Sequence, residues 1–562
     1  MRSVAIVGIG PRGISIIDRI AAEAPSEPFE LHLIEETQIG AGRVWLTEQN
    51  RELCMNTLAG AVTLFTEPGA TVVGPVRQGP TMYEWIQYLR GDQDAPYYSV
   101  YATLPPQLEG FDEELASTGP GANPSRALYG AYLRWVYLLS LQDLPQTVTV
   151  HHHAARAVSI VPSSSGTAEE RDRIELDDGT SIEADATVLA LGWLPPARTS
   201  AEEEIAALAN RFSLHWVEPG NPIEQDLSQV PAGEDVLVRG LGMGFFDIMA
   251  LLTVGRGGSF EPQETGQLRY KASGAEPRLL VTSGRGYPYL PKAEYPGLPP
   301  VAEMPHFKAA YERLLGRDSI NFSEEILPAI IADAHLADPT FDIERWYHPQ
   351  GNAPVEDLPA LVAEDLRHAE LATHSPLKNA LWVVNSARKP VSILGAGGRY
   401  TDKQAVSRFM AMGQMIGSGP PAFRTRQLLA LIEAGVVKLL GASDELTASE
   451  QGWQIAGHTA RTLIDAFMHK VDWRSPADTL VDSLAARSRP YRGSGSPETD
   501  PATRQLVHPD GSLDPRVALV GIPTYAQHPD TTISPMPGTD PLFLQETDKA
   551  AQFVLARIRS RI

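Results

Sequence analysis

The stretch Ser3–Gly13, SVAIVGIGPRG, joins a short apolar run to a glycine turn. Ser3–Val7 predicts a buried strand, and the glycines that follow have the G-x-G-x-x-G spacing that opens a helix in a dinucleotide-binding unit. Gly8 permits the tight turn, Gly10 lets the backbone approach a pyrophosphate, and Gly13 lets the helix pack closely against the strand. The helix N-terminus then offers free N–H groups to the phosphates. The predicted cofactor-binding residues of this turn are Gly8, Gly10, Pro11, Arg12 and Gly13.

An acidic residue follows the turn at the spacing that a ribose contact requires. Phe29–Glu35 predicts a second strand, and Glu35 stands 22 residues after Gly13, where about 20 is expected for the ribose-binding carboxylate. An acid there favours a free 2′-hydroxyl, and therefore FAD or NAD, over a 2′-phosphate. The alternative is a glycine turn in an α/β protein that binds no nucleotide. The agreement of strand, turn, helix, strand and acid favours the cofactor.

The composition indicates a globular protein of two or three domains. The chain has 562 residues, of which 43% are hydrophobic and 21% charged. No apolar run reaches the roughly 18 residues of a membrane helix, and the first strand begins at once, so we expect no signal peptide and a cytoplasmic location. The single cysteine, Cys54, excludes an internal disulfide, a multi-cysteine zinc site and a Cys-x-x-Cys redox pair. A formal net charge of −22 argues against nucleic acid as a partner.

Two loops after Glu35 supply further candidates. In GAGRVW, residues 40–45, the glycines let the backbone pass close to a cofactor, and Arg43 is suited to a phosphate. In LCMNT, residues 53–57, the polar side chains are suited to a flavin ring or ribitol, although each residue alone is equally compatible with a plain loop. The predicted cofactor-binding residues are Arg43, Val44, Trp45, Met55, Asn56 and Thr57, with Gly192 after a later strand and Thr524 in the tail segment GIPT.

The pattern of strand and glycine turn begins again at Asp235. Asp235–Arg239 predicts a strand, and a second glycine turn follows in which Phe245 takes the position of the last glycine. No acid follows at the ribose position; Arg256 comes just after the helix instead, which favours the 2′-phosphate of NADPH. The alternative is that Arg256 is a solvated charge at the helix C-terminus. The predicted cofactor-binding residues of this half are Gly240, Gly242, Met243, Gly244, Arg256, Ser283 and Gly284.

Each glycine turn is followed by short alternating runs that predict a meander. The first meander is predicted from Thr147–Val150, Ala157–Val161 and Arg173–Leu176, with a hairpin turn at Asp178-Gly179 and a closing strand at Ala186–Gly192. The second is predicted from Val436–Leu440, Trp453–Ala456 and Thr459–Ala466. Three consecutive histidines, residues 151–153, suggest a metal site, but consecutive strand residues point to opposite faces. We therefore predict no metal, the alternative being one histidine that faces a substrate.

The predicted fold is α/β, with two Rossmann-like dinucleotide-binding domains, one for FAD and one for NADPH, and a largely helical insert. Residues 1–230 and 476–562 are assigned to the FAD-binding domain, and residues 231–299 and 436–475 to the NADPH-binding domain. Residues 300–435 are assigned to the helical insert, which we expect to contribute to the substrate site. Ligands of such sheets bind at the carboxyl ends of the strands.

Together these motifs resemble those of the actinobacterial FAD-NAD(P)-binding protein family. The matching segments cover nearly the whole chain and are VAIVGIGPRG, GAGRVW, LCMNT, ATVLALG, LVRGLGMGFFD, SGRGYPYLPK, GPPAFRTRQLLALIEAGVV and GIPT. The family is distantly similar to flavin N-hydroxylating monooxygenases, and some members take L-aspartate to nitrosuccinate. The resemblance implies an FAD- and NADPH-dependent monooxygenase that N-hydroxylates a small amine or amino acid with O₂, without a membrane or nucleic-acid partner.

The same resemblance implies the course of the reaction. NADPH reduces FAD, the reduced flavin reacts with O₂ to a C4a-hydroperoxide, and a neutral amine attacks its distal oxygen, so no catalytic side chain is expected. An amino-acid substrate needs cations for its carboxylates. The candidates are Arg285, Lys292, Arg399 and Arg424, of which Arg285 and Lys292 also suit an NADPH phosphate. Two alternatives remain: a monooxygenase acting on carbon or sulfur, and a redox-responsive flavin- and NADPH-binding protein without turnover.

Overall fold

The computed structural model describes residues 1–163, 171–264, 266–528, 531 and 534–560. It contains two compact units, the first formed by Met1–Ala197 with Lys470–Ile562 and the second by Arg198–His469. The sequence-based boundaries instead assign residues 198–230 to the first unit and 470–475 to the second. The difference arises because residues 200–217 form a helix and a strand, and this strand completes the sheet of the second unit.

The helices and strands of the described residues are numbered in chain order. Up to Ala197 they are β1 (Arg2–Val7), α1 (Pro11–Glu23), β2 (Phe29–Ile34), α2 (Met82–Arg90), α3 (Tyr98–Thr103), α4 (Asp112–Ser117), α5 (Arg126–Gln142), β3 (Val148–His153), β4 (Ala157–Pro162), β5 (Asp172–Leu176), β6 (Ser181–Ala184) and β7 (Ala186–Leu189). In the second unit they are α6 (Ser200–Phe212), β8 (His215–Val217), β9 (Asp235–Arg239), α7 (Met243–Leu252), β10 (Ser259–Pro262), β11 (Leu268–Lys271), β12 (Arg278–Ser283), α8 (Pro305–Leu314), α9 (Phe322–Glu325), α10 (Leu327–Ala337), α11 (Ile343–Tyr347), α12 (Leu358–Leu371), α13 (Pro376–Leu394), α14 (Lys403–Gly417), α15 (Ala422–Glu433), β13 (Val437–Ala442), β14 (Thr447–Ser449), β15 (Gly452–Ile455), β16 (His458–Ala460) and β17 (Thr462–Asp465). The tail adds α16 (Thr479–Ala485), β18 (Gln505–Val507), β19 (Leu513–Leu519) and α17 (Leu542–Arg559).

The first unit is built on a sheet with the strand order β18-β19-β7-β1-β2-β3. β1 runs parallel to β2, with Val4 opposite Leu31, and parallel to β7 on its other side. Val4 packs with residues of α1, α5 and α17 on one face, whereas Ala5 packs with the β4-β5-β6 meander and α16 on the other. Because both faces are covered, the central strands are continuous apolar runs. The predicted α/β class is confirmed.

The second unit repeats this plan with the strand order β13-β12-β9-β17-β8. All neighbouring pairs in this sheet are parallel, with Val238 of β9 opposite Val281 of β12 on one side and Ile464 of β17 on the other. The β10–β11 hairpin lies between α7 and β12 in the chain. The antiparallel β14-β15-β16 strands follow β13, as β4-β5-β6 follow β3 in the first unit.

Two runs predicted as meander strands are edge strands of the parallel sheets. β3 pairs parallel with β2, with Val148 opposite Phe29, and β13 pairs parallel with β12. The true meanders begin one strand later, and the hairpin predicted at residues 178–179 is confirmed by Gly179, which has φ of 84° between β5 and β6. A short apolar run has the same periodicity in either setting, so only its pairing partner distinguishes them.

The helices α8–α15 form the predicted helical insert between β12 and β13. Its apolar side chains join one cluster with those of the second sheet, as in the contact group that contains Val281, Leu381 and Phe409. The insert is therefore part of the second unit, and it adds one small apolar cluster of Leu366, Ala369 and Ala422 between α12 and α15. Among the residues described, no helix has the length and apolar character needed to cross a membrane.

The C-terminal helix α17 packs against α1 through buried polar pairs. Arg19 is fully buried, and its Nε donates to Asp548, which is 1% exposed, at 3.0 Å. One turn earlier, the hydroxyls of Ser15 and Thr547 lie 2.8 Å apart. The tail of the chain is thus fixed to the helix that follows the first glycine turn.

Candidate functional site

The first glycine turn lies between β1 and α1 and is shaped by its glycines. Gly8 has φ of 92°, and a Cβ there would lie 2.7 Å from the carbonyl oxygen of Ala190. A Cβ on Gly13 would lie 2.2 Å from the carbonyl oxygen of Gly8, so only glycine permits this approach of helix and turn. At Gly10, by contrast, the atoms nearest to a Cβ are 4.0 Å away. This leaves the space beside the N-terminus of α1 that a pyrophosphate requires.

Glu35 is buried at the end of β2, beside this turn. Its Oε2 accepts a hydrogen bond from the N–H of Ile9 at 2.9 Å, and its Oε1 accepts one from the hydroxyl of Thr37 at 2.8 Å. The loop that follows returns to the turn, since a Cβ on Gly42 would lie 3.2 Å from the Cα of Gly10. The carboxylate and both glycine-containing segments therefore meet where a dinucleotide fold binds ribose and pyrophosphate.

The two arginines predicted for this site have protein partners. The Nε of Arg12 donates to Glu546 at 2.5 Å, and its guanidinium lies over the ring of Phe543. The guanidinium of Arg43 donates to the carbonyl of Trp193. The Arg12 side chain thus connects α1 to α17, and its backbone N–H lies in the first turn of α1, where N–H groups have no partner within the helix.

The tail segment that contains Thr524 lies at the end of β19. The Thr524 hydroxyl donates to the carbonyl of Gly521 at 2.8 Å, and the N–H of Gly521 donates to Glu546 at 3.3 Å. Glu546 therefore joins this segment to the first glycine turn through Arg12. Sequence reasoning missed Glu546 and Asp548; the available signal was that Arg12, Ser15 and Arg19 share one face of α1.

The other residues predicted for the first site lie in its loops. The N–H of Met55 donates to the carbonyl of Pro124 at 2.7 Å, and the hydroxyl of Thr57 lies 3.3 Å from that of Ser534. The ring of Trp45 meets the ring of Tyr129 edge-on at 4.7 Å. The residues of this loop group are Val44, Trp45, Met55, Asn56 and Thr57, with Gly192 following β7, where a Cβ would have no neighbour within 4 Å.

The second glycine turn lies between β9 and α7 and differs in its last glycine. Gly240 has φ of 121°, and Cβ atoms on Gly240 and Gly244 would each lie 2.8 Å from the carbonyl oxygen of Ala466. Gly244 therefore gives the close packing of helix on sheet, one residue earlier than the strict spacing places it. Phe245, at the position of the missing glycine, is fully buried in the core.

The loop after β12, residues 283–292, lies against this turn. The N–H of Tyr289 donates to the carbonyl of Leu241 at 2.9 Å, and a Cβ on Gly242 would lie 3.4 Å from the Tyr289 ring. Arg285 stands at the carboxyl end of β12, and its guanidinium donates to the carbonyl of Ala411 at 3.2 Å. Since β12 neighbours β9, this is the strand end that contacts the adenosine ribose in a doubly wound sheet.

Arg256, the predicted 2′-phosphate contact, lies at the opposite edge of the sheet. Its guanidinium donates to the carbonyls of Ala275 and Leu227 at 3.1 and 2.9 Å. These carbonyls belong to segments that precede β12 and β9, so Arg256 holds together the amino ends of the strands. Ligands of such sheets bind at the carboxyl ends, so this position does not support the cofactor contact of Arg256, which stays a prediction.

The cations predicted to bind substrate do not all come together. The N–H of Lys292 donates to the carbonyl of Pro420 at 2.9 Å, which joins its loop to the one that leads to Arg424. Arg424 is 4% exposed, and its guanidinium donates to Gln427 at 2.6 Å. Arg399 follows α13 and donates to the carbonyl of Ala396 at 3.1 Å. It therefore caps the end of this helix, ~27 Å by helix length from the start of α13 near the Lys292 loop, and its contact with substrate stays a prediction.

The histidines of β3 alternate between the faces of the sheet. The rings of His151 and His153 lie beside His32 of β2, whose Nδ1 is 2.9 Å from Nε2 of His153. His152 points the other way, with its Nε2 2.5 Å from the hydroxyl of Tyr137. Burial lowers the pKa of His32 to about 4. In the described parts of the chain, no group of three or more histidine, cysteine or acidic side chains is arranged to hold a metal.

Comparison with known proteins covers both units. A family model described as FAD-NAD(P)-binding matches residues 5–194. The nitrosuccinate-forming L-aspartate N-monooxygenase of Streptomyces davaonensis is 30% identical, over 99% of this chain and 97% of that protein. The nitrosuccinic acid synthase of Aspergillus oryzae is 30% identical, over 98% of this chain and 92% of that protein. Among solved structures, ornithine hydroxylase from Pseudomonas aeruginosa is 12% identical, with a TM-score of 0.47 and coverage of 98% of this chain and 99% of that one.

The geometry and the similarity to the two relatives at 30% identity lead to the same family. The space at Gly10 and the buried acid Glu35 fit the pyrophosphate and ribose of FAD. The second turn has the corresponding strand, turn and helix, and the relatives at 30% identity span it as well as the first. The chain therefore belongs to the FAD-NAD(P)-binding family that contains the nitrosuccinate-forming L-aspartate N-monooxygenases.

Proposed function

We propose that this protein is an FAD- and NADPH-dependent N-monooxygenase of a small amino acid, with L-aspartate, oxidised towards nitrosuccinate, as the foremost substrate. The observation that carries the proposal is 30% identity to the Streptomyces davaonensis enzyme over 99% of the chain, which includes both glycine turns. FAD, when bound, supplies the oxygen chemistry with electrons from NADPH. The chain itself binds, orients and shields the reactants.

The two turns have separate tasks in this proposal. Gly8–Gly13 holds the FAD pyrophosphate at the N-terminus of α1, and Glu35 accepts hydrogen bonds from the ribose. Gly240–Gly244 holds the pyrophosphate of NADPH. Support for this division comes from the acid at the end of β2 and its absence at the end of β12, where Arg285 stands instead. An arginine there suits a 2′-phosphate, so we assign Arg285 to NADPH.

The substrate carboxylates are assigned to Arg424 and Lys292. Support comes from the backbone hydrogen bond that joins their loops and from the burial of Arg424, which favours binding of an anion. A dicarboxylic amino acid has one carboxylate for each cation. The amine must lose its proton before it is oxidised, so we expect activity to rise with pH as the substrate ammonium deprotonates.

The test uses the purified protein supplied with FAD. Flavin absorbance, NADPH oxidation and product mass are followed with L-aspartate, L-glutamate, L-ornithine and a thioether as substrates. L-aspartate-dependent NADPH oxidation with oxygen added at nitrogen supports the proposal. Oxygen addition only to the thioether points to a sulfur monooxygenase. Bound flavin without any substrate-dependent NADPH oxidation would overturn the enzymatic proposal and favour the redox-responsive alternative.

A further inference from the structure

Three buried polar side chains meet behind the loop of residues 283–292. Tyr287 belongs to the loop, Asp365 to α12 and Lys378 to α13, and they are 4%, 5% and 6% exposed. The hydroxyl of Tyr287 donates to Oδ2 of Asp365 at 2.6 Å. The Nζ of Lys378 donates to the carbonyl of Pro291 at 2.6 Å. Two helices of the insert therefore hold the loop, at points four residues apart.

Both contacts involve ionisable groups removed from water. Burial raises the pKa of Asp365 and lowers that of Lys378 to about 8. Lys378 also lies in the first turn of α13, where the positive end of the helix dipole opposes its charge. Such groups are costly to bury unless hydrogen bonds satisfy them. The conformation of the loop is thus strongly coupled to these two bonds, because moving the loop leaves a buried acid and a buried amine without them.

The segment between the two contacts touches the second glycine turn. Tyr289 lies midway between Tyr287 and Pro291, its N–H donates to Leu241, and its ring lies over Gly242. The loop begins at Ser283, so Arg285 is also carried by it. Fixing the loop on both sides of Tyr289 therefore fixes the surface that this unit presents to a dinucleotide.

We propose that Asp365 and Lys378 are positioning residues that set the affinity of the second unit for NADPH by holding residues 283–292. This inference rests on the proposed function, in which the second glycine turn binds NADPH. Neither residue is required to touch the dinucleotide. The insert thereby acts on the cofactor site of its own unit, in addition to any contact with substrate.

The test measures binding of NADP⁺ to the FAD-loaded protein by calorimetric titration. The variants are Asp365→Asn, Lys378→Met and Tyr287→Phe, the last of which removes a single hydroxyl. We expect the Kd for NADP⁺ to rise by about tenfold in Lys378→Met and Tyr287→Phe, the effect of losing one hydrogen bond to a charged group, and by a smaller factor in Asp365→Asn, whose amide oxygen is a weaker acceptor. FAD content stays at one per chain, and the KM for NADPH rises by a larger factor than kcat falls. Asp365→Glu, which keeps a carboxylate acceptor for the tyrosine hydroxyl, restores part of the affinity lost in Asp365→Asn.

Asp333→Asn is the matched control. Asp333 is a buried carboxylate on α10 of the same insert, and it accepts hydrogen bonds from the N–H groups of His306 and Phe307 at 3.0 and 2.8 Å. We expect this variant to lower Tm and to leave the Kd for NADP⁺ unchanged. A similar loss of affinity in Asp333→Asn would overturn the inference, since any weakening of the insert would then suffice.

The remaining outcomes separate the inference from the proposed function. A Kd within twofold of the unmodified protein in folded Tyr287→Phe and Lys378→Met overturns the positioning role and leaves the proposed function intact. Failure of the unmodified FAD-loaded protein to bind NADP⁺ overturns the proposed function and the inference together. Weakened NADP⁺ binding in the three variants alone supports both.

Discussion

The two units have the same sheet but assemble it from different parts of the chain. In the first unit, β18 extends a five-strand order β3-β2-β1-β7-β19 that matches β13-β12-β9-β17-β8 of the second, and the antiparallel meander lies in the chain between β3 and β7 and between β13 and β17. In the second unit the outer strand β8 precedes the glycine turn, so one continuous segment supplies the whole sheet. In the first unit β19 comes from the tail. The difference teaches that the first unit depends on contacts between the two ends of the chain, whereas the second does not.

The glycine turns differ in a corresponding way. In the first turn the space at Gly10 is open and Gly13 has the strict spacing. In the second, the Tyr289 ring lies over Gly242 and Gly244 replaces the last glycine. The first turn is held by the terminal helix α17, and the second is approached by a loop fixed to the helical insert. We therefore expect FAD and NADP⁺ binding to respond to different substitutions.

The largest expected effect separates the two turns directly. Gly13→Ala places a Cβ 2.2 Å from a backbone oxygen and should abolish FAD retention, with a stability loss of about 3 kcal/mol or more. Gly244→Ala, with its contact at 2.8 Å, should abolish NADP⁺ binding while FAD is retained. Flavin content after purification and NADP⁺ titration measure both. Full flavin content in Gly13→Ala would contradict the role of the first turn.

The next effect concerns one ion pair in each unit, Arg19–Asp548 in the first and Arg239–Asp465 in the second. Asp548→Ala leaves Arg19 buried without its carboxylate, which should cost about 3–5 kcal/mol and lower the urea midpoint for flavin release. Its counterpart in the second unit is Asp465→Ala, which removes the bidentate partner of Arg239. Arg239 is 21% exposed and can reach water, so we expect flavin release to change little. If both variants lowered the urea midpoint for flavin release equally, flavin retention would not depend on the first unit alone.

A smaller effect tests how the second unit selects its dinucleotide. Arg285→Ala should lower the preference for NADPH over NADH by about tenfold or more, as expected from loss of a charged hydrogen bond worth about 1.5–3 kcal/mol. The ratio of kcat/KM values for the two dinucleotides is the measurement. Arg256→Met is the control, because it removes a cation from the amino edge of the same sheet. A loss of preference in the control but not in Arg285→Ala would reverse our assignment.

The smallest effect concerns the β10–β11 region, which has no counterpart among the described residues of the first unit. Burial opposes ionisation of Glu276, but hydrogen bonds from the Tyr270 hydroxyl and the Ser273 N–H outweigh it and lower its pKa to about 2. The ordinary value is 4.5, so this stabilisation is complete above pH 4.5 and is lost as pH falls towards 2. Glu276→Gln should lower the free energy of unfolding by about 1–2 kcal/mol at neutral pH. In this variant Tm should also fall less steeply as the pH is lowered below 4.5. An unchanged dependence of Tm on pH below 4.5 would contradict the lowered pKa of Glu276.

The local sequence was sufficient to predict the first strand, turn, helix and acid, because all four lie within the first 35 residues of the chain. It was also sufficient to predict the helical insert and the second turn. It was not sufficient for β3 and β13, whose apolar runs fit an edge strand and a meander equally well. Both strands pair with partners that are distant in the chain, and a short sequence pattern does not specify such a partner.

The candidate site shows the same limit more clearly. Arg256 was predicted as a phosphate contact and Arg285 as a contact for substrate or phosphate, and the pairing of β12 with β9 places Arg285 at the carboxyl edge of the sheet. Glu546 and Asp548 were missed because their partners on α1 are more than 500 residues away in the chain. Arg399 was predicted as a cation for a substrate carboxylate, whereas its guanidinium donates to carbonyls at the end of α13.

The late arrival of β19 has a consequence during synthesis on the ribosome. β7 is translated before the whole of the second unit, and β19 and α17 only after it. Until then β7 has an open edge and the outer face of α1 is bare, and exposed strand edges favour wrong pairing between chains. The nascent protein is therefore expected to complete its second unit first and to acquire flavin only after release. We accordingly expect chaperones to bind the nascent chain mainly while residues 198–469 are being translated, between the two segments of the first unit.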